Sequence, residues 1–113
     1  MKSKILALSK NEDFKNLLQK KKASNKYVTI FYGILDNKDI EKLNISFVTK
    51  KKLGNAVKRN KIKRRLKNII NEAVKNMTIK CNYSYLVIAK PTMLNNEYIS
   101  IKKTLFQSFE KIR

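Results

Sequence analysis

Between Lys50 and Lys67 the chain reads KKKLGNAVKRNKIKRRLK, a segment that limits what the rest can become. It holds ten of the 27 basic residues and no acid, and no Asp or Glu occurs from Lys42 through Asn71. A run this basic with no apolar residues would stay a solvated tail. Here Leu53, Val57, Ile62 and Leu66 are threaded through it, so the segment is expected to fold and hold its charges in a fixed pattern. A patterned cationic surface suits a regular polyanion, which makes nucleic acid the first expectation for function.

The rest of the composition agrees. At 113 residues and 42% hydrophobic content, residues 1–113 make one domain with a modest core. A net charge of +19 repels itself in the compact state and is expected to serve a partner. Nucleic acid, an anionic membrane and an acidic protein are the candidates. No apolar run approaches the roughly 20 residues that span a bilayer, and the apolar patch Ile5 to Leu8 is too short for a signal peptide. A cytoplasmic protein is expected. Cys81 is the only cysteine, so no intramolecular disulfide forms.

Several chemistries are excluded. The chain has no His, which removes His-ligated zinc, His general bases and Ser-His-Asp triads. With Gly33 and Gly54 as the only glycines, there is no phosphate-cradling Walker loop or dinucleotide fingerprint. The adjacent carboxylates Glu12 and Asp13 fall in the first turn of an expected helix, where they favour its dipole. No catalytic residue and no metal ligand set is expected.

Ser9 and Glu12 have capping-box spacing, and a short helix follows to about Lys20. Lys20 to Lys26 is a basic connector with room for a short edge strand. Tyr27 to Leu35 and Leu43 to Lys50 read as strands, and their short connection predicts an antiparallel hairpin. Asn55 is a good N-cap for a long helix from about Ala56 to Met77. Tyr83 to Lys90 reads as a strand buried on both faces and ended by Pro91. Asn95 or Asn96 opens a last helix with Ile101, Leu105, Phe109 and Ile112 on one stripe. The order α-β-β-α-β-α predicts an α+β sandwich, helices on a mixed sheet.

On the long helix, Ile62, Leu66, Ile69, Ala73 and Met77 share the apolar side. Asn60, Lys63, Arg64, Lys67 and Asn71 lie opposite, flanked by Lys61, Arg65 and Asn68. Arg59 projects onto the apolar side and cannot be buried there unpaired. The first turn is therefore expected to overhang the sheet and leave Arg59 free for a ligand. A basic face can be merely solvated, but this density, with no acids for i,i+4 pairing, favours phosphate binding. Strand alternation puts Val28, Ile30 and Tyr32 on one face and Tyr27, Thr29 and Phe31 on the other. One face packs on the core; the other, with Phe14 and Leu18, either lines a groove for unpaired nucleotides or is also core.

The segment SFVTKKKLGNAVKRNKIKRRLKNIINE, Ser46 to Glu72, resembles the protein subunit of bacterial ribonuclease P. That family's signature is a KKxGNAVxRNRxKR stretch, the Arg-Asn-Arg motif, matched here from Lys51 to Arg64. SKNEDF near the start, Tyr32, and YLVIAK before the final helix also look similar, so the resemblance covers nearly the whole chain. Three positions depart from the family pattern: Lys61 and Lys67 replace Arg, and Leu18 replaces Phe. Lys keeps the charge and loses the bidentate fork; Leu packs and stacks poorly.

The resemblance implies a fold like the second domain of ribosomal protein S5, with a left-handed β-α-β crossover around the long helix. It implies a partnership with ribonuclease P RNA, which with Mg²⁺ cleaves the 5′ leader from precursor tRNA. The protein itself would hold no cofactor, supply no catalytic side chain, and need no obligate protein partner or membrane. Carried over by position, Lys51, Lys52, Asn55, Lys58, Arg59, Asn60, Lys61, Lys63, Arg64, Arg65 and Lys67 become contacts to the RNA subunit. Phe14, Leu18, Ile30 and Tyr32 become leader-groove residues, with Lys90 at a rim.

Overall fold

The apolar strand Ser84–Ala89 (β5) is buried on both faces, and the sheet is built around it. The computed structural model describes residues 5–6, 11–34, 43–76 and 83–112. Along these, the elements run β1 (Ile5–Leu6), α1 (Asn11–Leu18), β2 (Lys21–Ser24), β3 (Val28–Gly33), β4 (Leu43–Val48), α2 (Ala56–Lys75), β5 and α3 (Tyr98–Lys111). The sheet order is β1-β4-β5-β3-β2. β3 and β4 both flank β5, antiparallel and parallel to it respectively.

The α+β sandwich is as expected; β2 is the short edge strand for which Lys20 to Lys26 had room, and β1 is added at the other edge. The expected hairpin of β3 with β4 does not form. β5 is apolar on both sides and gains most by pairing along both of its edges, so it inserts between them. The hairpin in this sheet is β2 with β3, antiparallel from Lys21 opposite Tyr32 to Ser24 opposite Thr29. The capping position Ser9, the turn Asp36 to Asp39, Met77 and Cys81 lie outside the described residues.

Alternation sorts side chains onto two layers. On one face Val28, Ile30, Ile45, Tyr85, Val87 and Ala89 pack against α2 and α3 in the main core. The helices contribute Ile62, Leu66, Ile69, Ile70 and Ala73, then Ile101, Leu105 and Phe109. Tyr32, Tyr83, Tyr85 and Phe109 form a chain of edge-to-face rings, with centroids 5.5–6.3 Å apart. On the other face, α1 buries Leu17 against Leu86, with Phe31, Val48 and Ile88 half-buried around them.

Gly54 joins the 3-10 turn Lys51–Leu53 to α2 at φ 131° and ψ −166°, a conformation essentially reserved for glycine. Asn55 caps α2 as expected, its Oδ1 accepting from Lys58 N at 3.0 Å. At about 1.5 Å per residue, α2 is roughly 30 Å long, against a longest molecular dimension of 37 Å. Its far half meets α3 through Lys102 Nζ and Glu72 Oε2 at 2.8 Å. That hydrogen bond to Glu72 raises the Lys102 pKa above its ordinary 10.5. Burial, then Glu72, raises the Tyr98 pKa above 10.0.

Candidate nucleic-acid interface

One side of α2 is closed against the sheet, so its other side is held rigidly outward. Asn60, Lys61, Lys63, Arg64 and Lys67 are all exposed there; Lys58 is exposed in the first turn, and Lys51, Lys52 and Asn55 are exposed just before the helix. The first turn carries no acid, so the helix N-terminus and these cations act in the same direction on an anion. Val57, expected to help fold the segment, is instead 75% exposed among them. It stands in the first turn, before the buried stripe that starts at Ile62.

Two arginines of α2, Arg59 on its apolar side and Arg65 on a flank, have surroundings unlike those of the exposed cations. Arg59 is half-buried, not free, and its Nε is buried without a hydrogen-bond partner among the described residues. The side chain is on the apolar side of the helix, and the first turn covers it in part. Arg65 is occupied: its Nη1 donates to Met93 O at 3.2 Å and Asn96 O at 3.1 Å. It ties α2 to the loop that leads into α3, so it serves the fold first.

The α1 face of the sheet carries a second feature. Phe31 pairs with Leu86, which pairs with Ser46; Thr29 pairs with Ile88, which pairs with Val48. Directly opposed residues point to the same face, so these rows form a half-exposed apolar floor beside α1. Lys22 lies opposite Phe31 and supplies an exposed cation at its border. Leu18, 48% exposed, ends α1 at the same layer. Lys90 is at the end of this floor, where its Nζ donates to Ser24 Oγ at 2.8 Å and to Asn25 O.

The expected groove residues are therefore not all brought together. Leu18 and Lys90 are on the α1 face, and Phe14 belongs to α1. Ile30 is fully buried in the main core, and Tyr32 packs against Tyr83 on that same opposite face. Phe31, Ile88, Val48 and Lys22 take their place. Part of the signal was present: Val28 and Ile30 are aliphatic, which two amphipathic helices need, although Tyr32 shares their face, whereas Thr29 and Phe31 make a mixed one. Tyr27, which parity grouped with that mixed face, precedes the strand and is buried in the main core.

Fold and surface together define a class: a basic α+β protein that presents a rigid cationic helix and a separate, partly apolar sheet face. The Ribonuclease P family matches residues 3–113. The ribonuclease P protein component of Carboxydothermus hydrogenoformans is 34% identical over 107 residues, covering 91% of this chain and 87% of that one. That of Alkaliphilus metalliredigens is 31% identical over 108 residues, covering 94% and 92%. Among solved structures, the RNase P protein from Thermotoga maritima superposes with a TM-score of 0.80 at 19% identity, over 96% of this chain and 98% of that one. The Staphylococcus aureus RNase P protein superposes with a TM-score of 0.76 at 25% identity, over 90% of each. The chain belongs to the ribonuclease P protein family, and with it to the RNA-binding proteins of tRNA processing.

Proposed function

We propose that this chain binds the catalytic RNA of ribonuclease P through α2 and holds the single-stranded 5′ leader of precursor tRNA on its α1 face. The holoenzyme then removes the leader by Mg²⁺-dependent hydrolysis, with the metal and the chemistry belonging to the RNA. The observation that carries this reading is the acid-free, exposed cationic side of a helix whose other side buries Ile62, Leu66, Ile69, Ile70 and Ala73. Bringing a catalytic RNA to a precursor tRNA sets polyanion against polyanion. Fixed cations between them reduce that repulsion without an entropic cost for ordering the side chains' backbone. On the α1 face, Phe31 offers a ring on which an unpaired base can stack, and Lys22 and Lys90 stand near its phosphates.

The test is precursor-tRNA cleavage by a bacterial ribonuclease P RNA at low Mg²⁺, with and without the protein. Strong stimulation that yields 5′-phosphate mature tRNA is expected. Tight RNA binding without stimulation would instead identify a structural RNA-binding protein of the ribosomal type.

A further inference from the structure

The β2 edge of the sheet carries a recess that neither α2 nor the α1 face accounts for. Between β2 and α3 lies an open cavity of about 330 Å³, with Ala23 and Tyr32 on the sheet side. Thr104, Gln107, Ser108 and Lys111 line it from α3. Ala23 pairs with Ile30 and Lys21 with Tyr32, so this is the α2/α3 side of the sheet, opposite the α1 face. Residues advance 100° each around α3. Lys102, which meets α2, is therefore on the other flank of the helix from Thr104, Ser108 and Lys111.

The cavity's walls are fixed by hydrogen bonds. Asn25 Nδ2 donates to Ser108 Oγ at 2.8 Å, while Asn25 Oδ1 accepts from Tyr27 N and Val28 N at 2.8 and 2.9 Å. The β2–β3 turn is thereby tied to α3. The Ser108 hydroxyl accepts from Asn25 and keeps its own proton to donate. Gln107 adds an exposed amide, both donor and acceptor. The Tyr32 ring is held in place by Tyr83, at 5.8 Å and 74°. Lys21 and Lys111 are exposed cations, one from each wall element.

An aromatic ring, an amide with a hydroxyl, and two flanking ammonium groups match one ligand chemistry. A base uses the ring and the amide, and its phosphates use the lysines. The volume is at the lower end of small-ligand pockets, so it admits one nucleotide and excludes a duplex. An acidic peptide would use the lysines but leave the ring and amide without matched partners. We propose that the β2–α3 cavity is a binding site for one unpaired nucleotide, separate from the α1 face.

The experiment is an NMR titration of the isotope-labelled full chain, with adenosine and uridine monophosphates and with a short single-stranded oligoribonucleotide. Saturable shifts are expected at the amides of Ala23, Gln107 and Ser108. Gln107→Ala with Lys111→Glu should weaken that binding about tenfold and leave shifts at Phe31 and Ile88 in place. Both substituted side chains face solvent, and circular dichroism verifies the fold. Shifts with the monophosphates show that a free nucleotide suffices; shifts with the oligoribonucleotide alone show that the site takes a nucleotide within a strand. Either result supports the site. No shift at these amides with any probe, or shifts unchanged in the double variant, overturns it.

Discussion

Arg59 and Arg65 belong to one helix and carry the same charge, yet their surroundings give them different work. The buried Nε of Arg59 has no described partner, so this side chain costs the fold something and returns it only when a ligand arrives. Arg59→Ala is expected to leave the unfolding midpoint unchanged or raised while weakening binding to the RNA subunit by about 1–3 kcal/mol. Filter binding and urea unfolding measure the two quantities, and unchanged affinity would remove Arg59 from the interface. Arg65 holds two loop carbonyls, so Arg65→Ala should cost about 1–3 kcal/mol of stability, seen as a lower urea midpoint. Ile30 and Phe31 make a second contrast. Ile30→Ala opens the main core and should cost about 2–5 kcal/mol of stability. Phe31→Ala should weaken precursor tRNA while sparing mature tRNA, and equal loss for both would end the leader assignment. The alternation of these strand residues was legible in the sequence. Which face would meet α1 was only partly legible: Val28 and Ile30 suit the two-helix core, but Tyr32 shares their face and blurs the distinction.

At the scale of elements, most of what could be read locally stands; the exceptions are α3, which starts at Tyr98 after Glu97 and not at Asn95 or Asn96, and the exposed Val57. The N-cap Asn55, the buried stripe of α2 and the doubly buried β5 each depend on a few neighbouring residues, and each stands in the structure. The β3–β4 hairpin failed because a short connection speaks only for the two strands it joins. It carries no information about a later strand with a stronger claim to the central position. The tie that Arg65 makes to the fold was not legible for a related reason: its partners come from the loop before α3, distant in sequence. The contact between α2 and α3 adds a pH dependence. Lys102 and Tyr98 both have raised pKa values in the folded state. For both, the contribution to stability is whole below the ordinary values near 10 and is lost as pH rises through the raised ones. Thermal melting should therefore show a fall in stability on the alkaline side. Glu72→Gln, which removes the carboxylate facing both groups, should differ from the parent at neutral pH and converge with it once Lys102 is neutral. A difference that persists unchanged into strong alkali would show that the ion pair is not its source.

For the whole molecule, the charge of +19 sets two responses to salt that run in opposite directions. In the free protein the positive charges repel one another, and salt screens that repulsion, so the melting temperature should rise with ionic strength. In the complex the same charges hold phosphates, and salt competes with them. Five exposed cations stand along the first half of α2: Lys58, Lys61, Lys63, Arg64 and Lys67. If each neutralises one phosphate, the logarithm of the affinity for ribonuclease P RNA should fall against the logarithm of salt with a slope of about −3.5 to −4.5. Removing one of them, as in Lys63→Ala, should make that slope shallower by about 1 while leaving the melting temperature unchanged or raised. Binding measured across a potassium chloride series at fixed Mg²⁺ gives the slope directly. A slope near zero, or one that Lys63→Ala leaves untouched, would mean that α2 is not the surface that meets the RNA, and the cationic helix would then need another polyanionic partner.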